Sequence, residues 1–272
     1  MVKNINDALK EAKQILKENN IDEREARLLL AFSLDMPLEK LIIKKECTKK
    51  EYQKYIKIIK KRASKIPYAY IVGYKEFMKL DFEVNKNVLI PRDDTEILVE
   101  EVIKLDKKKI LDMCTGSGCI AVSLANYIKN SKIDAVDISK KALKVAKLNA
   151  KNNNVFINFI NSNLFDKVKD KYDVIVSNPP YIRKEELNNL QEEVKKEPKK
   201  ALDGGKTGLD FYKKIIIDAK NYLKENGVLA LESGFDQAND IKNLLEENNY
   251  KEIKVVKDLS NNDRVVIAYN NN

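Results

Sequence analysis

The tetrapeptide Asn178-Pro179-Pro180-Tyr181 has the residue types needed to hold a planar nitrogen group. It directly follows residues 172–177, an apolar run that is typical of a buried strand. Proline fixes φ and has no N–H, so such a loop loses little entropy when it binds a ligand. Open α/β sheets bind their ligands outside the carboxyl ends of the strands. The sequence therefore predicts a site for a planar N–H group at this tetrapeptide.

A second candidate site is the turn Cys114-Thr115-Gly116-Ser117-Gly118, which lies between a predicted strand and a helix predicted to begin at about Cys119. Glycine lets the backbone turn sharply and come close to a ligand. The spacing matches neither the P-loop GxxxxGK[ST] nor the full dinucleotide fingerprint GxGxxG. ATP or GTP hydrolysis is therefore not expected, and the turn by itself indicates only a nucleotide-like ligand.

Asp137 narrows the nature of that ligand. It ends the next predicted strand, about 20 residues after the glycine turn, where a carboxylate can accept hydrogen bonds from both ribose hydroxyls. Alone it could equally be a helix N-cap, but together with the turn it predicts an adenosine-bearing ligand. Asn163 and Leu164 follow the third strand, where Asn163 can approach an adenine ring; the alternative is that Asn163 only forms a turn.

The composition restricts the chemistry that the chain can perform. It has 272 residues and no histidine, which excludes Ser-His and Cys-His nucleophilic machinery. Three cysteines without CxxC spacing provide neither a disulfide framework nor a zinc site, so no metal is expected. Catalysis must therefore use carboxylates, amides, tyrosines, lysines or positioning alone.

Residues 1–72 are predicted to form a small all-helical bundle, because apolar residues recur there at helical spacing. Most of the formal net charge of +9 lies in this part, with 18 Lys+Arg against 10 Asp+Glu in residues 1–75, a net of +8. These charges could simply solvate helix faces. They could also form a basic module that docks on RNA, the ribosome or an acidic protein.

The remaining sequence divides into a linker and a large α/β domain. Residues 73–92 are predicted to be a β-hairpin linker, with strands at 76–84 and 88–90 and a turn at 85–87. From 93 to 272 strands and helices alternate, which predicts a doubly wound parallel sheet with an antiparallel edge. Further strands are predicted at 110–113, 133–137, 156–160, 173–176, 228–231, 253–256 and 264–268.

With these blocks in this order, the chain resembles the class I, Rossmann-like, S-adenosylmethionine-dependent methyltransferases, and most closely the HemK/PrmC family of protein-(glutamine-N5) methyltransferases. The resemblance covers nearly the whole chain. The residues that carry it are 71–77, Leu89-Ile90-Pro91-Arg92-Asp93-Asp94-Thr95-Glu96, 112–121, 176–182, Glu197-Pro198, 201–205 and Asn262-Asp263-Arg264-Val265.

Three positions depart from the family pattern. Cys114 stands where the wider superfamily prefers a glycine, and its side chain should fit if its φ is negative. Asp93 replaces a proline, which changes the stiffness of the linker. Asn163 replaces an acidic residue that many relatives carry near the adenine.

The resemblance implies that a methyl group passes from S-adenosylmethionine to the glutamine amide of the Gly-Gly-Gln motif in peptide chain release factors. It implies catalytic roles for Asn178, Pro179, Pro180 and Tyr181. The side-chain oxygen of Asn178 and the Pro179 carbonyl would accept the two amide N–H groups, with Tyr181 and residues near Leu89 flanking the amide. The implied cofactor-binding residues are Cys114, Thr115, Gly116, Ser117, Gly118, Asp137, Asn163, Leu164 and Asn178.

The same resemblance makes release factors the expected protein partners, and direct nucleic-acid binding is not required. The chain begins without a signal-peptide core and has no apolar run near the ~20 residues of a membrane span, so a cytoplasmic protein without membrane association is expected. Residues 197–208 are either a lid beside the substrate or an ordinary surface loop.

Two other functions are compatible with parts of the pattern. An amino methyltransferase acting on adenine N6 or guanine N2 of RNA or DNA would use a similar Asn-Pro-Pro-Tyr loop and flip the base onto an aromatic ring. The second alternative is a non-catalytic module that binds RNA or a ribosomal component through the basic helices. The blocks at 89–96 and 197–205 argue against the first, and an intact glycine turn argues against the second.

Overall fold

The computed structural model describes residues 2–270, which form two compact units. The first contains the chain up to Gly73 together with Gln191–Lys196, and the second contains Tyr74–Leu190 and the chain from Glu197 onward. Every helix in residues 2–270 is too short or too polar to cross a membrane.

The first unit is mainly helical, as the spacing of its apolar residues predicts. Its elements are β1 (Lys3–Asn4), α1 (Ile5–Glu18), α2 (Glu25–Ser33), β2 (Glu46–Cys47), α3 (Lys49–Ala63) and α4 (Tyr68–Val72), with a 3-10 turn at Leu38–Ile42. Thr48 and Glu51 form a capping box at the start of α3, which satisfies two backbone N–H groups. The prediction of an entirely helical segment is wrong at one place, because β1 and β2 pair antiparallel. Each is only two residues long, too short for a strand pattern to be recognisable.

A buried ion pair ties Gln191–Lys196 into this unit. Arg62, near the end of α3, is 3% exposed. Its guanidinium contacts Glu25 at 2.5 Å and Glu193 at 2.8 Å. A buried guanidinium requires such partners, because desolvating it unpaired is costly. The charge of Arg62 is therefore neutralised internally and does not contribute to a basic surface.

A hairpin opens the second unit, but its strands differ from those predicted. They are β3 (Tyr74–Phe77) and β4 (Leu80–Glu83), paired antiparallel. Met78 and Lys79 have φ of +50° and +58°, so the reversal falls inside the stretch that alternation predicts to be one strand. Phe77 and Phe82 are fully buried and pack edge to face in the core of this unit. The burial of this aromatic pair, rather than the polar residues at 85–87, sets the position of the turn.

The centre of the second unit is a seven-stranded sheet of the predicted doubly wound type. Its strands are β5 (Lys109–Met113), β6 (Lys132–Asp137), β7 (Asn158–Asn161), β8 (Tyr172–Ser177), β9 (Leu223–Glu232), β10 (Tyr250–Lys257) and β11 (Asp263–Asn270). They lie in the order β7-β6-β5-β8-β9-β11-β10. The first five are parallel, and β11 and β10 add an antiparallel edge. The order reverses between β5 and β8, where ligands of such sheets bind.

Helices cover both faces of this sheet. They are α5 (Thr95–Lys104), α6 (Cys119–Tyr127), α7 (Lys140–Asn152), α8 (Asp210–Tyr222) and α9 (Ala238–Glu247). Val174 and Val176 of β8 pack in one hydrophobic cluster with α5 and α6, and Ile175 packs in the other with α8 and α9. A strand buried on both faces is apolar at its central positions, here Val174-Ile175-Val176, which explains why this strand could be predicted from its composition.

Candidate active site

The glycine turn connects β5 to α6 at the edge of the sheet where the strand order reverses. The N–H of Thr115 donates to the Val136 carbonyl at 2.9 Å, and the N–H of Gly118 donates to the Thr115 carbonyl at 2.8 Å. These bonds hold the turn against the end of β6. Gly116 and Gly118 have φ of +57° and +82°, a region that glycine enters without strain.

The two glycines are required for different reasons. A Cβ at Gly116 would have only the Cys114 carbonyl near it, at 3.9 Å, so this part of the turn faces open space. A Cβ at Gly118 would lie 2.9 Å from the Cβ of Ala146 on α7. Gly116 therefore leaves room for a ligand, while Gly118 lets two helices approach each other.

Cys114 corrects one expectation from the sequence. Its φ is +66°, whereas the side chain was expected to fit with a negative φ. A non-glycine residue in this region costs about 1–2 kcal/mol. The turn keeps the left-handed backbone of a glycine at this position although the residue is a cysteine. Burial raises the pKa of the Cys114 thiol, so the group is not a reactive thiolate.

Asp112, at the end of β5, is a buried carboxyl beneath the turn. Its Oδ2 accepts hydrogen bonds from the Thr115 hydroxyl at 2.5 Å and from the Ala121 N–H at 3.2 Å. Its Oδ1 has no partner within residues 2–270. Burial raises the pKa of Asp112 to about 7, although these two hydrogen bonds act to lower it. A buried acceptor without a partner at the base of a nucleotide-type turn is consistent with a site that a ligand completes.

Asp137 lies at the end of β6 and faces the turn. Its Oδ2 accepts from the Gly116 N–H at 2.9 Å, and its Oδ1 accepts from the Ser139 N–H at 2.7 Å. Burial raises the pKa of Asp137, and the two backbone N–H groups oppose that shift. Each carboxylate oxygen has a second lone pair, so the group can still accept the two hydroxyls of a ribose. The donor and acceptor chemistry of the turn therefore fits an adenosyl group.

Asn163 and Leu164 follow β7 at the same edge of the sheet. The N–H of Ser162 donates to the Asp137 carbonyl at 3.2 Å, which places this segment beside the end of β6. Asn163 is exposed, and its carbonyl accepts from the Asp166 N–H, as in a turn. Both predicted roles of Asn163 are compatible with this position, so its contact with adenine stays a prediction.

Asn178-Pro179-Pro180-Tyr181 leaves the end of β8 next to the glycine turn. The Ser177 hydroxyl donates to the Met113 carbonyl at 2.7 Å and so joins the ends of β8 and β5. Asn178 is half-buried, and its Nδ2 donates to the Thr95 hydroxyl at 3.2 Å. Pro179 and Pro180 are buried. The structure thus brings the two predicted sites to one edge of the sheet.

The glycine-rich segment 197–208 runs along this loop and is bonded to it. The Ile182 N–H donates a hydrogen bond to the Leu202 carbonyl at 3.0 Å, and the Gly204 N–H donates to the Ile182 carbonyl at 2.8 Å. A Cβ at Gly204 would lie 2.6 Å from the Cα of Tyr181, so glycine is needed for this close approach. The segment supports the loop from one side. Whether it also moves as a lid stays a prediction.

Glu197 connects two of the sequence blocks that distinguish the family. It is 6% exposed, accepts a hydrogen bond from the Ile90 N–H at 2.9 Å and pairs with the Arg92 guanidinium. Arg264, from a third block, pairs with Asp94 at 3.1 Å. Blocks far apart in sequence are therefore held together by charge-assisted bonds.

Sequence reasoning missed two residues at this site, Thr95 and Glu232. Thr95 begins α5 and Glu232 ends β9; they are 2% and 1% exposed. Burial raises the pKa of Glu232 to about 7, while the Thr95 hydroxyl, Arg264 and the Asn178 amide favour its charged form. Its Oε2 nevertheless has no well-formed hydrogen bond within residues 2–270. A charged residue directly after the apolar run 228–231 was the only sequence signal for Glu232.

Comparison with known proteins agrees with this geometry. The family described as Methyltransferase small domain matches residues 93–258, and the PrmC N-terminal domain matches residues 7–73. The fold resembles the crystal structure of a methyltransferase from Pyrococcus furiosus, with a TM-score of 0.56 and 22% identity over 78% of this chain and 99% of that chain. The fold and the glycine turn thus define a class I methyltransferase.

Sequence relatives narrow the class to one family. The release factor glutamine methyltransferase of Clostridium acetobutylicum is 42% identical over 97% of this chain and 98% of its own length. The protein of the same name from Borreliella burgdorferi is also 42% identical, over 97% of this chain and 93% of its length. The chain belongs to the release factor glutamine methyltransferase family and is an enzyme.

Proposed function

We propose that this enzyme transfers a methyl group to the side-chain amide nitrogen of the glutamine in the Gly-Gly-Gln motif of peptide chain release factors. The observation that carries the proposal is Asn178, whose amide is anchored at the carboxyl end of β8, beside the glycine turn and Asp137. An amide held at that edge of the sheet suits a substrate that is itself an amide. The names of the sequence relatives support the same acceptor.

S-adenosylmethionine is the proposed methyl donor, since its sulfonium supplies an electrophilic methyl group. Asp137 would accept hydrogen bonds from the ribose hydroxyls of the cofactor. The open space beside Gly116 would allow the cofactor to lie close to the backbone of the turn. The other proposed contacts are Cys114, Thr115, Ser117, Gly118, Asn163, Leu164 and Asn178. The positive φ angles give the turn its sharp bend, and the Asp112 carboxyl accepts a hydrogen bond from the Thr115 hydroxyl within it.

The chemical difficulty lies in the acceptor. The nitrogen lone pair of an amide is delocalised, as the rotation barrier of ~18–20 kcal/mol in a peptide bond shows. The Asn178 Oδ1 and the Pro179 carbonyl would accept the two N–H groups of the substrate amide and orient its nitrogen. Tyr181 would flank the flat amide. Both acceptors also stabilise positive charge as it develops on the nitrogen.

Alignment is therefore the main catalytic contribution of this loop. Well-oriented reactions gain up to ~7–11 kcal/mol from positioning alone. Methyl transfer would leave a positively charged nitrogen that bears the methyl group and both original hydrogens. This cation is very acidic and loses one proton to water, so no strong general base is needed. The absence of histidine from the chain is compatible with this mechanism.

The first unit is the proposed docking module for the release factor, and the cytoplasm, where translation takes place, is the proposed compartment. Residues 1–72 would be the docking domain, 73–92 the linker and 93–272 the catalytic domain. The net charge of +8 in residues 1–75 would favour an acidic face of the factor.

A labelling experiment separates this function from the alternatives. The enzyme is incubated with methyl-labelled S-adenosylmethionine and, separately, a release factor, structured RNA or duplex DNA, and mass spectrometry locates the label. We expect label on the Gly-Gly-Gln glutamine, and none on a factor in which that glutamine is alanine. Label on adenine N6 or guanine N2 alone would overturn the proposal. Cofactor binding without label on any substrate would favour a binding module.

A further inference from the structure

Glu232 is a buried carboxyl placed directly beside Asn178. The parallel register of β8 and β9 pairs Ser177 with Leu231, so Asn178, the first residue after β8, lies level with Glu232, the last residue of β9. Thr95, at the start of α5, is the third member of this group, and its hydroxyl accepts a hydrogen bond from Asn178. Thr95 and Glu232 are buried and Asn178 is half-buried, so the Thr95–Glu232 side of this group is shielded from water.

The hydrogen atoms of the Asn178 amide determine which way that amide faces. Its Nδ2 has two N–H groups, and one donates to the Thr95 hydroxyl at 3.2 Å. The carboxyl group of Glu232 faces both the Asn178 amide and the Thr95 hydroxyl. A carboxylate only accepts hydrogen bonds, so it attracts Nδ2 and the hydroxyl proton and repels Oδ1.

We propose that Glu232 is a positioning residue that fixes the rotation of the Asn178 amide, so that Oδ1 points away from the carboxylate and toward the methyl acceptor. This inference rests on the proposed role of Asn178 in binding the substrate amide. Without the carboxylate, the amide could turn by 180° and present N–H groups to a substrate that itself presents N–H groups. Two donors facing each other cannot bond.

The ionisation state of Glu232 should then control the orientation of the Asn178 side-chain amide. A protonated carboxyl has an O–H donor, which competes for the Asn178 Oδ1 and removes the preference. Burial raises the pKa of this group to about 7, so the change falls in an accessible range. The titratable groups that face Glu232 from the elements around it are Arg264, Asp94, Tyr181, Tyr212 and Cys119.

Glu232→Gln tests the proposal, because glutamine keeps the size but offers an N–H donor as well as an acceptor. We expect kcat for release-factor methylation to fall at least about tenfold, as an oriented hydrogen bond is lost. The Kd for S-adenosylmethionine should stay within about twofold. The kcat of the wild-type enzyme should rise as the pH increases through about 7, and Glu232→Gln should lose that rise.

Ser233→Ala is the matched control. Ser233 is the next residue, is fully buried and has a hydroxyl without a partner within residues 2–270, so its removal should leave kcat unchanged. If Glu232→Gln does not fold, as judged by near-ultraviolet circular dichroism, Thr95→Val provides the second test. It keeps the shape, removes the hydroxyl that holds Nδ2, and should lower kcat with the same unchanged cofactor Kd.

The outcomes separate this inference from the proposed function. Wild-type enzyme that labels no glutamine would refute the proposed function itself. Wild-type activity with an unchanged kcat and pH profile in Glu232→Gln would refute only the positioning role. A loss of cofactor affinity equal to the loss of kcat would also refute it, because a merely structural effect would then explain both.

Discussion

The carboxylate of Asp137 accepts a hydrogen bond from the backbone N–H of Gly116 at 2.9 Å, which joins the end of β6 to the middle of the glycine turn. The two residues are 21 positions apart in the chain. One carboxylate thus stabilises the shape of the turn and also presents acceptors at the edge where β5 and β6 end. The turn and the acidic residue form one structural unit.

Asp137→Asn should weaken cofactor binding. An amide keeps one acceptor oxygen but replaces the other with an N–H group, which cannot accept a hydrogen bond from a backbone N–H or from a ribose hydroxyl. We expect the Kd for S-adenosylmethionine, measured by isothermal titration calorimetry, to rise about 10- to 100-fold. Asp166→Asn is the control, because Asp166 is exposed. Equal affinities of the two variants would mean that Asp137 serves only as a helix cap.

Asn178→Ala should separate catalysis from cofactor binding. The substitution removes the Oδ1 that would accept the substrate amide and leaves the glycine turn untouched. We expect kcat to fall about 10²- to 10³-fold, the loss typical of removing one group that stabilises a transition state. The Kd for S-adenosylmethionine should change by less than about fivefold. Turnover close to that of the wild-type enzyme would contradict the assignment of Asn178.

Gly116→Ala and Gly118→Ala should differ in stability, although both residues have positive φ. Alanine at Gly116 meets open space, so the backbone strain of about 1 kcal/mol is the main cost. Alanine at Gly118 adds a 2.9 Å approach to Ala146, and overpacking of this kind costs about 1–3 kcal/mol more. Urea unfolding measures the free energy of unfolding of each variant, and Gly118→Ala should be the less stable one. For the affinity for S-adenosylmethionine the order should reverse, because Gly116 faces the space for the ligand. Equal stabilities would show that α7 moves aside.

The stability of the enzyme should fall as the pH increases from about 4 to about 7, because Asp112 ionises less readily in the folded protein. Its pKa rises from an ordinary value of 3.8 to about 7 when it is buried, so the unfolded chain loses its proton first. The contribution of protonated Asp112 to the free energy of unfolding is complete below pH 4 and is lost as the pH rises past 7. It amounts to about 4 kcal/mol.

Asp112→Asn should flatten this dependence in urea unfolding measured at several pH values. Glu232, whose pKa is also raised to about 7, adds a second contribution of the same sign, so the slope should decrease without disappearing. Asp81→Asn is a suitable control because Asp81 is exposed. An unchanged slope in Asp112→Asn would show that Asp112 is ionised in the folded enzyme well below pH 7.

The sheet could be predicted because its signals are local. A strand buried on both faces is apolar at its central positions, as in Val174-Ile175-Val176, and most of the predicted strands alternate with segments of helical periodicity. The hairpin was placed wrongly for the opposite reason. Alternation continues through Met78 and Lys79, and only the burial of Phe77 and Phe82 in the core decides where the chain reverses.

The sequence by itself determined the α/β sheet, the glycine turn, Asp137 and the loop at Asn178, because each is encoded by residue types at short spacing. Tertiary structure alone decided that Glu232 and Thr95 lie against Asn178, that Glu197 joins Ile90 to Arg92, and that Cys114 takes a positive φ. These relationships depend on strand register and on packing between distant segments. A single sequence contains the residues involved, but which of them come into contact is decided only when the strands pair in register and the distant segments pack together.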